Sequence, residues 1–124
     1  MISLDKTTRK LQVVLAGVVT TNELHVTVSY YDVPAQTKSG TEEYRRVVST
    51  HLTTGATAVD VCDAPATNNT VRNIVYLCVH NADTVTATPT VQIDDSGTKY
   101  RQMAKALTTG QSLVYEHGAG WLVL

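Results

Sequence analysis

The chain has 124 residues, enough for one domain and not two. Ten Lys and Arg stand against eleven Asp and Glu, a formal net charge of −1, which argues against nucleic acid as a partner because neutralising several phosphates takes a clustered cationic face. No apolar run approaches the ~20 residues of a membrane span, and Met1–Lys6 leads into no apolar segment of the kind a secretory signal needs.

Hydrophobic residues make up 43% of the chain, and Thr (20) and Val (18) dominate it, which is a β-protein composition. Residues 1–10 are polar and charged, with only Ile2 and Leu4 to bury, and are expected to form an arm, disordered or ordered against a partner. Leu11–Ala16 is the first predicted strand. Gly17 interrupts the apolar run before Val18 and Val19 and suggests a bulge or a close backbone approach.

Leu24, Val26, Val28 and Tyr30 alternate with His25, Thr27, Ser29 and Tyr31. This period of two predicts a strand with one buried face. Pro34 ends it, and Ala35–Gly40 has loop composition. Thr41–Leu52 is ambiguous. Tyr44, Val47, Val48 and Leu52 fall on a helical stripe, with Ser39 and Glu42 as a possible capping box. Against that, Val47-Val48-Ser49-Thr50 is poor helix material, so an edge strand or irregular excursion is the other reading.

Further strands are predicted over Ala56–Cys62, Arg72–His80, Val85–Ile93, Lys99–Leu107, Ser112–Tyr115 and Trp121–Leu124. Arg72–His80 is the most apolar and reads as a central strand covered on both faces. Pro89 places its strand at an edge or bulge, and Asp94-Asp95-Ser96-Gly97 has hairpin-turn chemistry. The last 55 residues read as a meander of hairpins, and the longer connections of the first half suit Greek-key crossings. The expected fold is therefore all-β: a single β-sandwich or jelly-roll-like domain over residues 11–124, with eight or nine short antiparallel strands and the arm at 1–10. The apolar end Trp121–Leu124 is expected to be stitched into a sheet or against a neighbouring subunit.

No reactive constellation stands out. His25, His51, His80 and His117 have no local metal-ligand spacing. Asp94-Asp95-Ser96-Gly97 lacks the fuller pattern of a calcium loop. Adjacent Glu42 and Glu43 do not converge on one substrate atom. Ser112 lacks the second glycine of a nucleophile elbow. Cys62 and Cys78 sit in apolar runs, which favours buried thiols over a single disulfide and offers nothing to activate a thiolate. With Phe absent, the six tyrosines and Trp121 are needed for packing, and Tyr31 on the wet face is the best exposed aromatic. Asn68-Asn69-Thr70 matches a glycosylation sequon by chance. Neither an enzyme nor a cofactor or metal site is expected.

Several stretches together, Leu11–Asn22, Thr53–Val59, Asn81–Thr84, Val91–Thr98, Leu113–Tyr115 and Gly120-Trp121, resemble a family of small β-rich virion-associated structural proteins of tailed bacteriophages. Glu42–Leu52 departs from the Thr/Gly-rich loop of that pattern. The resemblance implies a non-enzymatic virion subunit made in the host bacterial cytoplasm, first of all a capsid decoration or cement protein docking on neighbouring capsid subunits. A head–tail or tail-associated adaptor is the alternative. The implied partners are major capsid or connector and tail subunits and further copies of the chain, with no nucleic acid and no membrane. The expected partner contacts are Ile2, Leu4, Lys6 and Arg9 of the arm, and Tyr44, Arg45, Arg46, Val47 and Val48 of the excursion that runs on to Leu52. The rival from another class is a carbohydrate-binding sandwich using Tyr31 or other exposed aromatics.

Overall fold

The computed structural model describes residues 1–34 and 44–124. Among these residues the structure is all-β, with ten strands: β1 (Ile2–Leu4), β2 (Arg9–Leu15), β3 (His25–Pro34), β4 (Val47–Leu52), β5 (Val59–Cys62), β6 (Thr70–His80), β7 (Pro89–Asp95), β8 (Thr98–Ala104), β9 (Ser112–Glu116) and β10 (Gly120–Val123). Two antiparallel sheets pack as a sandwich. The larger has the order β10-β9-β6-β3-β4, with β1 also paired to β6, and the smaller is β5-β2-β7-β8.

The alternation that predicts β3 is what builds the core. Val26 and Val28 of β3 and Ile74, Leu77 and Val79 of β6 point inward from the larger sheet. Leu11, Val13 and Leu15 of β2, Val61 of β5 and Val91 of β7 meet them from the smaller one. A bulge opposite Ser29/Tyr30 leaves Val75 extra on β6, which is why the buried set skips from Ile74 to Leu77. β6 is central, as its apolarity predicts, but covered on its inner face only. Its outward residues are half-exposed.

Residues 1–10 are not a free arm. Ile2, Ser3 and Leu4 pair with Ile74, Asn73 and Arg72, so β1 extends the larger sheet in line with β9. Ile2 and Leu4 are in the core, the Ile2 N–H donates to Tyr115 Oη at 2.9 Å, and Ser3 Oγ donates to Asn73 Oδ1 at 2.7 Å. Two apolar residues spaced by one are a minimal strand, and the gap along β6 not covered by β9 supplies the pairing that makes it stable. Arg9 and Lys10 already belong to β2.

The ambiguous stretch resolves as strand where it is described: Val47–Leu52 pairs with Tyr30–His25. Ser39, Glu42 and the rest of 35–43 lie outside the described residues. β-branched Val47, Val48 and Thr50 fit a pleated edge, and β3 offers a ladder, so pairing overrides the helical spacing. Gly17 sits in the loop after β2, and Val18 beyond it is 87% exposed, so the apolar run does not resume as strand.

The C-terminal half is not one meander. β7–β8 and β9–β10 are hairpins, each in a different sheet, and the links between them cross the sandwich. Ser96 (φ 51°) and Gly97 (φ 97°) both occupy the left-handed region that a two-residue hairpin turn requires. Asp94 Oδ1 accepts from the Gly97 N–H at 3.1 Å and fixes that turn. The crossing after β6 is held by Asp83, whose enclosed carboxylate accepts from the N–H groups of Thr20, Thr21, Asn22 and Thr84 at 2.8–3.1 Å. These bonds, the one from Thr20 first, pull its pKa down to about 2.

Candidate interaction face

The two outer faces of the sandwich differ in kind. On the smaller sheet the outward residues carry charges, and all but exposed Arg101, opposite Gln92, pair with one another among the described residues. Lys10 Nζ lies 2.9 Å from Asp60 Oδ2, Gln12 Nε2 donates to Asp60 Oδ1 at 2.7 Å, and Lys99 Nζ lies 2.8 Å from Asp94 Oδ1. Gln12 Oε1 accepts from both Gln92 and Lys99. Burial pushes the Asp60 carboxyl up, but hydrogen bonds from Lys10 and Gln12 outweigh it and hold it below its ordinary value. The hydrogen bond to Asp60 raises Lys10 in return. A face whose carboxylates are already paired, and whose remaining cation Arg101 is exposed to water, has little to gain from a partner.

On the larger sheet the register sets the outward residues in three rows running from β10 to β4. The middle row is Leu122, Val114, Cys78, Thr27 and Thr50. One flanking row is Gly120, Glu116, Tyr76, Ser29 and Val48. The other is Leu124, Ser112, His80, His25 and Leu52, where Leu124 and Ser112 exchange both backbone hydrogen bonds. Glu116 is the one carboxylate in these rows, and they contain no Lys or Arg. Val48, Leu52, Leu122 and Leu124 are all exposed large apolar side chains.

Two shallow depressions mark this face. One, of about 460 Å3, lies between Arg46 and Val48 on one side and Glu116 and His117 on the other, with Ser29, Val75 and Tyr76 in its floor. The second, about 390 Å3, is bounded by His25, Thr27, Thr50, His51 and Leu52. The Ser29 hydroxyl is buried and finds no hydrogen-bond partner among the described residues. His25 and His80 sit side by side with ring centroids 6.3 Å apart, and His80 Nδ1 is 2.8 Å from Ser112 Oγ.

The residues expected as partner contacts are not brought together. Ile2 and Leu4 are interior and cannot contact a partner in the folded chain. Lys6 is an exposed turn residue whose carbonyl accepts from the Arg9 N–H. Arg9 is held by Asp95 at 2.9 Å and Asp5 at 2.8 Å, and the hydrogen bond to Asp95 above all raises its pKa. Tyr44, Arg45, Arg46, Val47 and Val48 lie at the opposite edge of the sheet, where, among the described residues, β4 pairs with β3 alone. All five are exposed, and Val48 and the Arg46 side chain border the larger depression. The rest of the face, on β6, β9 and β10, was absent from that expectation. The clue in the sequence is that Cys78, Val114, Leu122 and Leu124 are apolar residues at the outward phase of their strands, legible only once the strand pairing is known.

The two thiols are free and lie in different sheets, Cys62 buried on β5 and Cys78 outward on β6. Burial pushes the Cys62 thiol up to about 12, so it is not a nucleophile. Arg72 is a structural hub. Its guanidinium grips both oxygens of Asp32 at 2.8 and 3.0 Å, donates to the Asp63 carbonyl at 2.7 Å, and stacks 4.4 Å over Tyr30. Tyr31 and Tyr44 meet at 6.1 Å between centroids, tilted by 42°. Among the described residues, no three His, Cys, Asp or Glu side chains converge as metal ligands.

No family model, no curated protein and no solved structure matches this chain.

Proposed function

We propose that this chain is a non-enzymatic docking sandwich, a structural subunit of a bacteriophage particle that works by the contact it makes with other proteins. The carrying observation is the contrast between the two outer faces: one rich in charges, most of them internally paired, the other nearly uncharged, with Val48, Leu52, Leu122 and Leu124 exposed across it. Soluble sheets normally wet their outer face with charge, and an apolar outer face marks a place where another surface sits. The phage setting, and capsid decoration as the first role within it, come from the sequence resemblance.

The face measures about 20 by 20 Å from strand and residue spacing, on the order of 400 Å2. A standard interface takes about 800 Å2 from each partner, so one such face binds weakly. On a symmetric particle weak sites act together, because simultaneous contacts raise the effective concentration of each. A cement protein needs no stronger single contact.

A carbohydrate-binding sandwich would stack a sugar on Tyr31 and Tyr44. The 42° tilt between those rings gives no flat platform, so the docking reading is preferred.

The test is quantitative mass spectrometry of particles purified from the phage whose genome encodes the chain. The reading expects the chain in many copies per particle, in a fixed ratio to the major capsid subunit. A few copies, in ratio with the connector or tail, would replace decoration by the adaptor role. Complete absence from particles would end the virion reading.

A further inference from the structure

We infer that the open edge of β4 is a self-association edge, and that two copies of this chain join there in an antiparallel, two-fold pairing that makes one continuous sheet across the dimer. The inference deepens the docking reading by naming what covers part of that surface.

Exposed sheet edges are normally blunted with charge, proline or a covering segment, because their unpaired N–H and C=O groups template further strands. The smaller sheet follows this rule: its edge strand β8 carries Lys99 and Arg101, and its other edge, β5, carries Asp60 with Pro65 shortly after. β4 does not. Val47-Val48-Ser49-Thr50-His51-Leu52 has no proline, no lysine and no carboxylate, and no described residue pairs with its outer side.

The hydrogen-bond phase shows which groups are free. The Thr53 N–H donates to the Leu24 carbonyl at 3.0 Å, and the register onward is unbroken: Leu52 opposite His25, His51 opposite Val26, and so to Val47 opposite Tyr30. Antiparallel pairs alternate, so Val47, Ser49 and His51 bond to β3, while Val48, Thr50 and Leu52 aim both backbone groups at the open edge. These three also carry the outward side chains, and Val48 and Leu52 are 62% and 58% exposed.

One two-fold register satisfies all of them. With Thr50 on the axis, Val48 faces Leu52 of the second copy, Thr50 faces Thr50, and Leu52 faces Val48. That arrangement forms about six inter-copy hydrogen bonds. The side-chain pairs are aliphatic–aliphatic and Thr–Thr, both favourable across strands, and no like charges oppose. The other uncharged edge, β10, offers less. Leu124 bonds back to Ser112, so only Trp121 and Val123 direct backbone groups outward. Pairing at β4 also places the two outer faces side by side. The combined surface is about 800 Å2, which reaches the standard contribution of one partner.

The experiment begins with light scattering on the full chain across concentration, where a dimer is expected. A monomer up to the solubility limit overturns the inference. Register is then read by disulfide capture. Thr50→Cys places two cysteines about 5.5 Å apart at Cα, within disulfide reach, and should cross-link under mild oxidation. Val48→Cys alone, about 13 Å from its copy, should not, whereas mixing it with Leu52→Cys should. A Thr50→Cys chain that stays uncross-linked overturns the pairing. Thr50→Pro removes an N–H that points away from β3, and should weaken the dimer roughly 10- to 100-fold by the loss of two inter-copy hydrogen bonds. Cysteine capture stands by itself if that variant folds poorly. Leu122→Lys, on the far strand of the same face, should leave the dimer intact while weakening particle binding, so failure of the dimer and failure of the docking face are told apart.

Discussion

Removing Met1–Leu4 should unfold, or nearly unfold, this protein. The deletion takes out β1, with Leu4 fully enclosed and Ile2 almost so. Burial of each of these side chains stabilises by about 1.5–3 kcal/mol. The bonds from Ile2 N–H to Tyr115 Oη and from Ser3 Oγ to Asn73 add about 1 kcal/mol each, and the exposed end of β6 loses its ladder partner. The sum, about 5–8 kcal/mol, is comparable with the whole stability of a domain this size, about 5–15 kcal/mol. The assay is urea unfolding followed by far-UV circular dichroism and tryptophan fluorescence, because Trp121 packs 5.1 Å from Tyr115 at the end of this contact chain. Leu4→Ala in the full chain is the graded control and should cost about 2–5 kcal/mol, felt as a large drop in midpoint at unchanged slope. A truncated chain with the full chain's midpoint would refute the placement of β1 and return residues 1–10 to the role of a free arm.

Four further outcomes are expected. The Asp83 carboxyl is depressed in the folded state, so its stabilisation is complete above the unfolded value near 4 and is lost as pH falls toward about 2. Asp83→Asn should lower the melting temperature at neutral pH and flatten that acid limb in thermal scans. Arg72→Lys keeps the charge but loses the two-pronged grip on Asp32 and the stack on Tyr30, and should cost about 1–2 kcal/mol in urea unfolding. Ser29→Ala removes a buried hydroxyl that has no partner among the described residues and should stabilise by about 1 kcal/mol, visible as a raised midpoint. With an alkylating reagent at pH 8, mass spectrometry of the native protein should show no label on Cys62, which reacts only once urea has unfolded the chain.

The strands were legible where one face alone is buried. Val26 and Val28 announce β3 by alternation, and Pro34 marks its end. The Asp94-Asp95-Ser96-Gly97 run announces the β7–β8 hairpin, whose turn falls at Ser96 and Gly97. What local pattern could not supply was the partner of each strand. Ile2-Ser3-Leu4 looks like part of a tail until the uncovered stretch of β6 is known, and Val47–Leu52 satisfies a helical spacing until β3 is seen to offer a ladder. The candidate face shared that limit. Tyr44–Val48 stood out as an excursion from the strand pattern, but Leu122, Val114, Cys78 and Thr27 belong to four different strands and become one row only through sheet register.

The central claim is that the outer face of the larger sheet is where this protein meets others. It is tested most directly by placing lysines on one face at a time and measuring co-sedimentation with purified phage particles. Thr27→Lys with Leu122→Lys alters the uncharged face, and Val14→Lys with Thr90→Lys, outward on β2 and β7, alters the charged one. All four positions point away from the core, so circular dichroism and melting temperature should stay near those of the unsubstituted chain. The account predicts that the first pair abolishes sedimentation with particles and the second leaves it unchanged. Full sedimentation of the first pair, or its loss with the second, would contradict it.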